Sequence, residues 1–208
     1  MTLRPMVHAE HAALAEDLEE LDETQWAQHS LCGRWNVEEV VAHLTAGASI
    51  GRLRWLRSVL GVRFDFDLHN QRRLAEHQGT NPIETLARFR RVITSTTAAS
   101  GLTLAWLGEI IVHSQDIRHP LGIECVPPID AVTQLAQFYA SRDFAVPSRS
   151  AVKDLRLEAI DGAFTTGEGP LVKGTTLALT MAMAGRGQFC DELAGDGVAL
   201  LRSRCAAE

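Results

Sequence analysis

Glu109, His113 and Asp116 lie close together near the middle of the chain. On a helix advancing about 100° per residue they fall within about 60° of one another, on the stripe shared by Ala105 and Val112. Leu104, Leu107, Ile110 and Ile111 spread around the rest of the circumference, so this helix is apolar on almost every side and belongs inside a bundle. Three ionisable groups on a buried face are costly unless something compensates them. One compensation is a divalent metal. Glu109 and His113 form an i, i+4 pair whose side chains reach a common point, and His43, at the edge of an earlier apolar face, offers a third ligand. Two imidazoles and a carboxylate with an open position make the ligand set of a catalytic zinc, and Ni²⁺ or Fe²⁺ would accept it as well. Asp116 could then orient a ligand imidazole from behind or pair with an arginine. The other compensation is mutual hydrogen bonding, a core triad with His43 as a satisfied core histidine.

The elements that must position these residues are readable in outline. Leu14, Leu18 and Leu21 mark an amphipathic helix between His8 and Glu23, with the acidic run Glu16–Glu23 as its solvated face. A second helix starts at Asn36, an N-cap paired with Glu39 three residues on, and buries Val37, Val40, Val41 and Leu44. Pro82 opens a third, with Ile83, Leu86, Phe89, Arg90 and Ile93 as its repeat. The helix that bears Glu109 and His113 runs from about Leu102 to Arg118 and is ended by Pro120 and Gly122. A fifth runs from Ile129 to about Phe144. After a linker at Val146–Ser150 the texture changes. Leu155–Ile160 alternates like a strand, Thr175 or Thr176 caps a short apolar helix ending at Gly185-Arg186-Gly187, and Val198–Arg202 reads as a last strand. The expected plan is mainly α: a helical bundle over residues 1–147 and a small α+β unit over 148–208.

Composition narrows the class. The chain has 208 residues, with 20 basic against 26 acidic and a net charge of −6, which argues against a nucleic-acid or anionic-membrane partner. No apolar run approaches a membrane span, and Met1–Pro5 lacks the apolar core of a signal peptide, so a cytoplasmic protein is expected. Cys32, Cys125, Cys190 and Cys205 form no C-x-x-C pair and read as free thiols, Cys32 as a bystander. His8, His11, His29, His69 and His77 sit in polar stretches and read as surface residues, and His119 as a decoration of its helix end. Trp35, Trp106 and Phe89 read as core, and Arg72-Arg73 as part of a solvated loop.

The segment Trp35-Asn36-Val37-Glu38-Glu39-Val40-Val41-Ala42-His43-Leu44 resembles the opening of helix two in DinB-like metalloenzymes. Glu109-Ile110-Ile111-Val112-His113-Ser114-Gln115-Asp116-Ile117, continuing to Gly122, resembles a segment of the mycothiol-dependent maleylpyruvate isomerase family. Val172–Leu177 and the Gly185-Arg186 ending resemble that family's C-terminal unit. This resemblance implies a DinB-like four-helix bundle holding a divalent metal through His43, Glu109 and His113. It also implies a low-molecular-weight thiol cosubstrate, mycothiol or, in other lineages, bacillithiol. The thiolate would add to an activated double bond of a small, carboxylate-bearing electrophile. Expulsion after bond rotation would make an isomerase, and retention of the C–S bond a transferase. An arginine of the C-terminal unit is implied to face the metal cleft and grip the carboxylate, with Arg186 the better match and Arg202 the other candidate. Two alternatives stay open: a DinB-type hydrolase in which the metal activates water, and a non-catalytic metal- or ligand-binding bundle. Monomer and homodimer are both compatible with the sequence.

Overall fold

Asn36 caps its helix as its chemistry requires: its Oδ1 accepts from Glu39 N at 2.9 Å, and Glu39 Oε2 accepts from Asn36 N at 2.9 Å. In the structure, a computed structural model that describes residues 3–33, 35–49, 74–97, 102–144 and 146–205, this reciprocal cap opens α3. Arg72, Arg73 and His69, with most of the Arg-rich stretch, lie outside the described residues.

The chain divides into two compact units, Met1–Cys125 and Val126–Glu208. In the first, α1 (Leu3–Glu19), a short α2 (Glu23–Ala27), α3 (Val37–Ser49), α4 (Pro82–Arg90) and α5 (Thr103–Leu121) follow in order, with a helical turn at 74–77. α1 packs against α4 and α5, and α3 packs against the same two, so these four close into a ring of neighbours. Val7, Leu14 and Leu18 of α1, Val40 and Val41 of α3, Phe89 of α4 and Ile110 and Ile111 of α5 fill its centre and are almost wholly buried. Each such side chain contributes roughly 1.5–3 kcal/mol of burial free energy. Asn81 caps α4 and Pro82 sits in its first turn. Thr85 Oγ1 then donates to Glu38 Oε1 at 2.7 Å, tying α4 to α3.

Pro120 lies inside the last turn of α5, and the helix ends two residues later at Gly122, whose φ of 68° suits a residue without a side chain. A proline is tolerated there only if the carbonyl one turn back finds another donor. That carbonyl belongs to Asp116.

In the second unit, α6 (Ile129–Ser141) and α7 (Ser148–Ala151) precede a three-stranded sheet of order β2-β1-β3. β1 (Arg156–Ala159) pairs antiparallel with β2 (Thr165–Thr166) and parallel with β3 (Leu171–Gly174). Thr175 caps α8 (Thr176–Met183), which is followed by a 3₁₀ helix (Gly187–Glu192) and α9 (Val198–Cys205). α8 is apolar around its circumference and is covered by α6, the 3₁₀ helix, α9, β1 and β3. Because α6 covers α8, it groups with the C-terminal unit, and the division falls near residue 125 where the sequence reading set it at 147.

The architecture is mainly helical with one small sheet, as expected. One element differs: Val198–Arg202 is not a strand but the start of α9. Short apolar runs do not distinguish the two by periodicity, and Ala, Leu and Arg are strong helix formers. No described helix is long and apolar enough to cross a membrane.

Candidate metal centre

α3 and α5 pack side by side, and their facing residues bring three of the expected ligands together. His43 Nε2 lies 2.8 Å from Glu109 Oε1, and His113 Nε2 lies 4.0 Å from the same oxygen. The two imidazoles meet edge to face with centroids 5.0 Å apart. One ligand atom from each of His43, Glu109 and His113 falls within a 4.8 Å cluster. The side chains of His43 and His113 are 16% and 13% exposed and that of Glu109 is 35% exposed, so the cluster is enclosed on the ring side and open at the carboxylate. Gly47, one turn beyond His43, lies beside the cluster, where a Cβ would come no closer than ordinary contact, 4.0 Å, to Glu109 Oε1.

Asp116 stands behind the cluster. It is wholly buried, and its Oδ2 accepts from His113 Nδ1 at 2.9 Å. With Nδ1–H held by Asp116, Nε2 is the ring nitrogen that faces His43 and Glu109, and it offers a lone pair to a metal once it gives up its proton.

A residue read as a bystander is also here. Cys32 clusters with His113 and Asp116, with ligand atoms within 4.8 Å of one another, and hydrogen-bonds His113. Burial disfavours the His113 cation, but the Cys32 sulfur and the Asp116 carboxylate outweigh it and raise the His113 pKa to about 10. Cys32 arrives on a loop folded back on itself. Ser30 N and Oγ both donate to Trp35 O, at 3.0 and 2.8 Å, and Trp35 N donates to Cys32 O at 3.1 Å. The loop is docked on α5 through the carbonyl that Pro120 leaves unclaimed, since Leu31 N donates to Asp116 O at 3.0 Å. Gln28 Nε2 adds a bond to Pro120 O at 2.9 Å. The same loop places Trp35 against His43, ring centroids 4.8 Å apart, so Trp35 is half-buried at the site and not part of the inner core.

The remaining histidines divide. His29 and His119 are exposed, and His77 is half-buried. His8 is half-buried, with Nε2 2.9 Å from Ser95 O. His11, read as a surface residue, is buried against Phe89 and Trp106. Its place on the Val7, Leu14, Leu18 stripe was the available signal. In the second unit, Arg186 follows α8 and donates from Nη1 to Ala184 O at 2.6 Å. Arg202 pairs with Asp191 Oδ1 at 2.6 Å.

Residues 7–103 match the family model of the mycothiol maleylpyruvate isomerase N-terminal domain. This span, just under half of the chain, is similar to that domain. The matched span contains Cys32 and His43 and ends before Glu109 and His113. Two crystal structures of mycothiol-dependent maleylpyruvate isomerase, one of a histidine-to-alanine mutant, share the fold. They align over 94% of this chain and 93% of their own, with TM-scores of 0.63 and 0.62 at 15% and 14% identity. Curated proteins give no match. The resemblance carried by the motifs is thus supported by the domain match in the N-terminal half and by the fold along nearly the whole chain.

Proposed function

We propose that this protein is a thiol-dependent isomerase or S-transferase of the mycothiol-dependent maleylpyruvate isomerase type. It acts on a small electrophile bearing a carboxylate, with a divalent metal held by His43, Glu109 and His113. The observation that carries the reading is the convergence of these three side chains in a chain whose N-terminal domain matches that family. The residues fit a metal on chemical grounds. Two imidazoles and a carboxylate suit Zn²⁺, and Ni²⁺ or Fe²⁺ as well. A metal bound there supplies a Lewis acid that makes a thiol at its open position nucleophilic at neutral pH.

The chain's own residues prepare the site. Asp116 fixes the tautomer and orientation of His113. Trp35 packs on the His43 ring and limits its rotation. Glu109 closes the set on its accessible side, where a thiol and substrate can approach. For the substrate carboxylate the family resemblance points to an arginine of the C-terminal unit, Arg186 as the better match and Arg202 as the other candidate.

The test is elemental analysis of purified protein beside His43→Ala and Glu109→Ala, with turnover of a cis-unsaturated keto-acid measured with and without mycothiol. Stoichiometric metal in the wild type, its loss in both variants and strict thiol dependence are expected. Full metal occupancy in both variants overturns the ligand assignment, and turnover indifferent to mycothiol overturns the reaction class.

A further inference from the structure

Two of the four free cysteines, distant in sequence, meet in the C-terminal unit. Cys190 lies on the 3₁₀ helix and is buried, while Cys205 ends α9 and is half-buried. A 3₁₀ helix has three residues per turn, so Gly187 and Cys190 share one face. Cys205 rests on that face: a Cβ added to Gly187 would stand 3.4 Å from Cys205 Cβ, and the Cys190 and Cys205 side chains are hydrogen-bonded. Arg202, one turn before Cys205, holds α9 in register. Its Nη2 bonds Asp191 Oδ1 at 2.6 Å and its Nη1 reaches Gly187 O at 3.4 Å.

We propose that Cys190 and Cys205 are a reversible dithiol/disulfide site, oxidised by a low-molecular-weight disulfide. The site is independent of the metal centre and of the activity assigned to it. Cys205 is the more accessible of the two residues, its Sγ donating to Ala182 O at 3.3 Å. Its thiolate attacks one sulfur of RS–SR, the reagent's S–S bond breaks, RS⁻ leaves, and a mixed disulfide remains on Cys205. Cys190, sheltered from reagent but in contact with Cys205, then attacks the Cys205 sulfur and expels the second RS⁻. The two protein thiols lose two electrons and two protons. The reagent gains the electrons, and the released thiolates take up the protons. Closure of these neighbouring side chains requires an S–S bond of about 2.05 Å. The side-chain contact with Cys205 draws the Cys190 pKa down against the effect of burial, and Arg202 acts in the same direction.

The experiment treats the whole protein anaerobically with oxidised glutathione and follows thiol count and intact mass, with peptide mapping. The wild type should fall from four free thiols to two, with Cys190 and Cys205 cross-linked and no glutathione retained. Dithiothreitol should restore all four. Cys190→Ser should stop at a single glutathione adduct on Cys205, and native Cys205→Ser should leave Cys190 unmodified. A glutathione adduct that persists on wild-type Cys205 overturns the proposal, as does a cross-link through Cys32 or Cys125. So does the absence of any thiol loss under conditions that oxidise a small dithiol. The wild-type arm decides this even if a variant fails to fold.

Discussion

α5 serves two polar clusters built on opposite rules. Near its C-terminus Arg118 is wholly buried, with Nε donating to Asp17 Oδ2 at 2.7 Å and Nη1 to Glu10, both from α1. Also on α1, His11 is enclosed against Phe89 and Trp106, its Nδ1 donating to Val7 O at 2.8 Å. Arg118, Glu10 and His11 are buried, with Asp17 half-buried at their edge, and the Arg118 charge is met by two carboxylates of α1. At His43, Glu109 and His113 the polar atoms instead aim at one another, and the carboxylate remains accessible. The two buried histidines register the difference. Burial pushes the His11 pKa down to about 4, with only the Val7 carbonyl resisting, whereas at His113 Cys32 and Asp116 overcome burial and the value rises to about 10. Burial alone therefore does not distinguish the histidine proposed as a ligand from the structural one. Converging donors beside an opening do.

The contrast can be broken at three points. The largest effect is expected at Arg118, where Arg118→Leu strands Glu10 as an uncompensated buried charge. We expect a loss of about 3–5 kcal/mol in urea denaturation. A loss under about 1 kcal/mol would remove Arg118 from the sealed class.

Next is His11. Its folded pKa of about 4 lies below the ordinary histidine value of 6.5, so the unfolded chain binds more protons between those values. Stability is therefore full above about pH 6.5 and falls as pH drops toward 4, by about 3 kcal/mol in all. His11→Leu should flatten that slope in denaturation midpoints measured across the window. An unchanged slope would show that His11 protonates without penalty.

The smallest effect concerns Asp116, sealed by burial yet assigned to the open site. Asp116→Ala should weaken metal binding about 10–100-fold in chelator competition, because His113 loses its orienting partner. Asp116→Asn, which keeps an oxygen acceptor, should lose less. Undiminished affinity in Asp116→Ala would return Asp116 to the sealed class.

Local signals were the legible ones. The Asn36–Glu39 cap, Pro82 at the start of α4, and the i, i+4 spacing of Glu109 and His113 are short-range patterns, and each appears where the sequence placed it. His43 was found because α3 is strongly patterned. The residues that escaped are held by contacts between segments far apart in the chain. Nothing near Arg118 signals Glu10, nothing near Cys32 signals His113, and Cys190 and Cys205 meet only because α9 is a helix lying on the 3₁₀ turn. Taking α9 for a strand hid that pairing. His11 was the exception, since its stripe was visible, but a polar neighbourhood outweighed spacing in the reading.

Pro120 has a consequence for the order in which the molecule assembles. The loop bearing Cys32 and Trp35 docks on groups at the far end of α5, and Gln28 stands 92 residues before its anchor on Pro120. During synthesis the loop emerges with nothing to dock on, and α3 carries His43 alone. Only after α5 has been made and has packed does the carbonyl that Pro120 leaves open become available, and Cys32, Trp35 and both histidines then come together in one step. Long-range contacts of this kind form late because the chain must first close a large loop. The N-terminal segment therefore carries only part of the cluster while it waits, and the cluster is completed when the bundle closes around it.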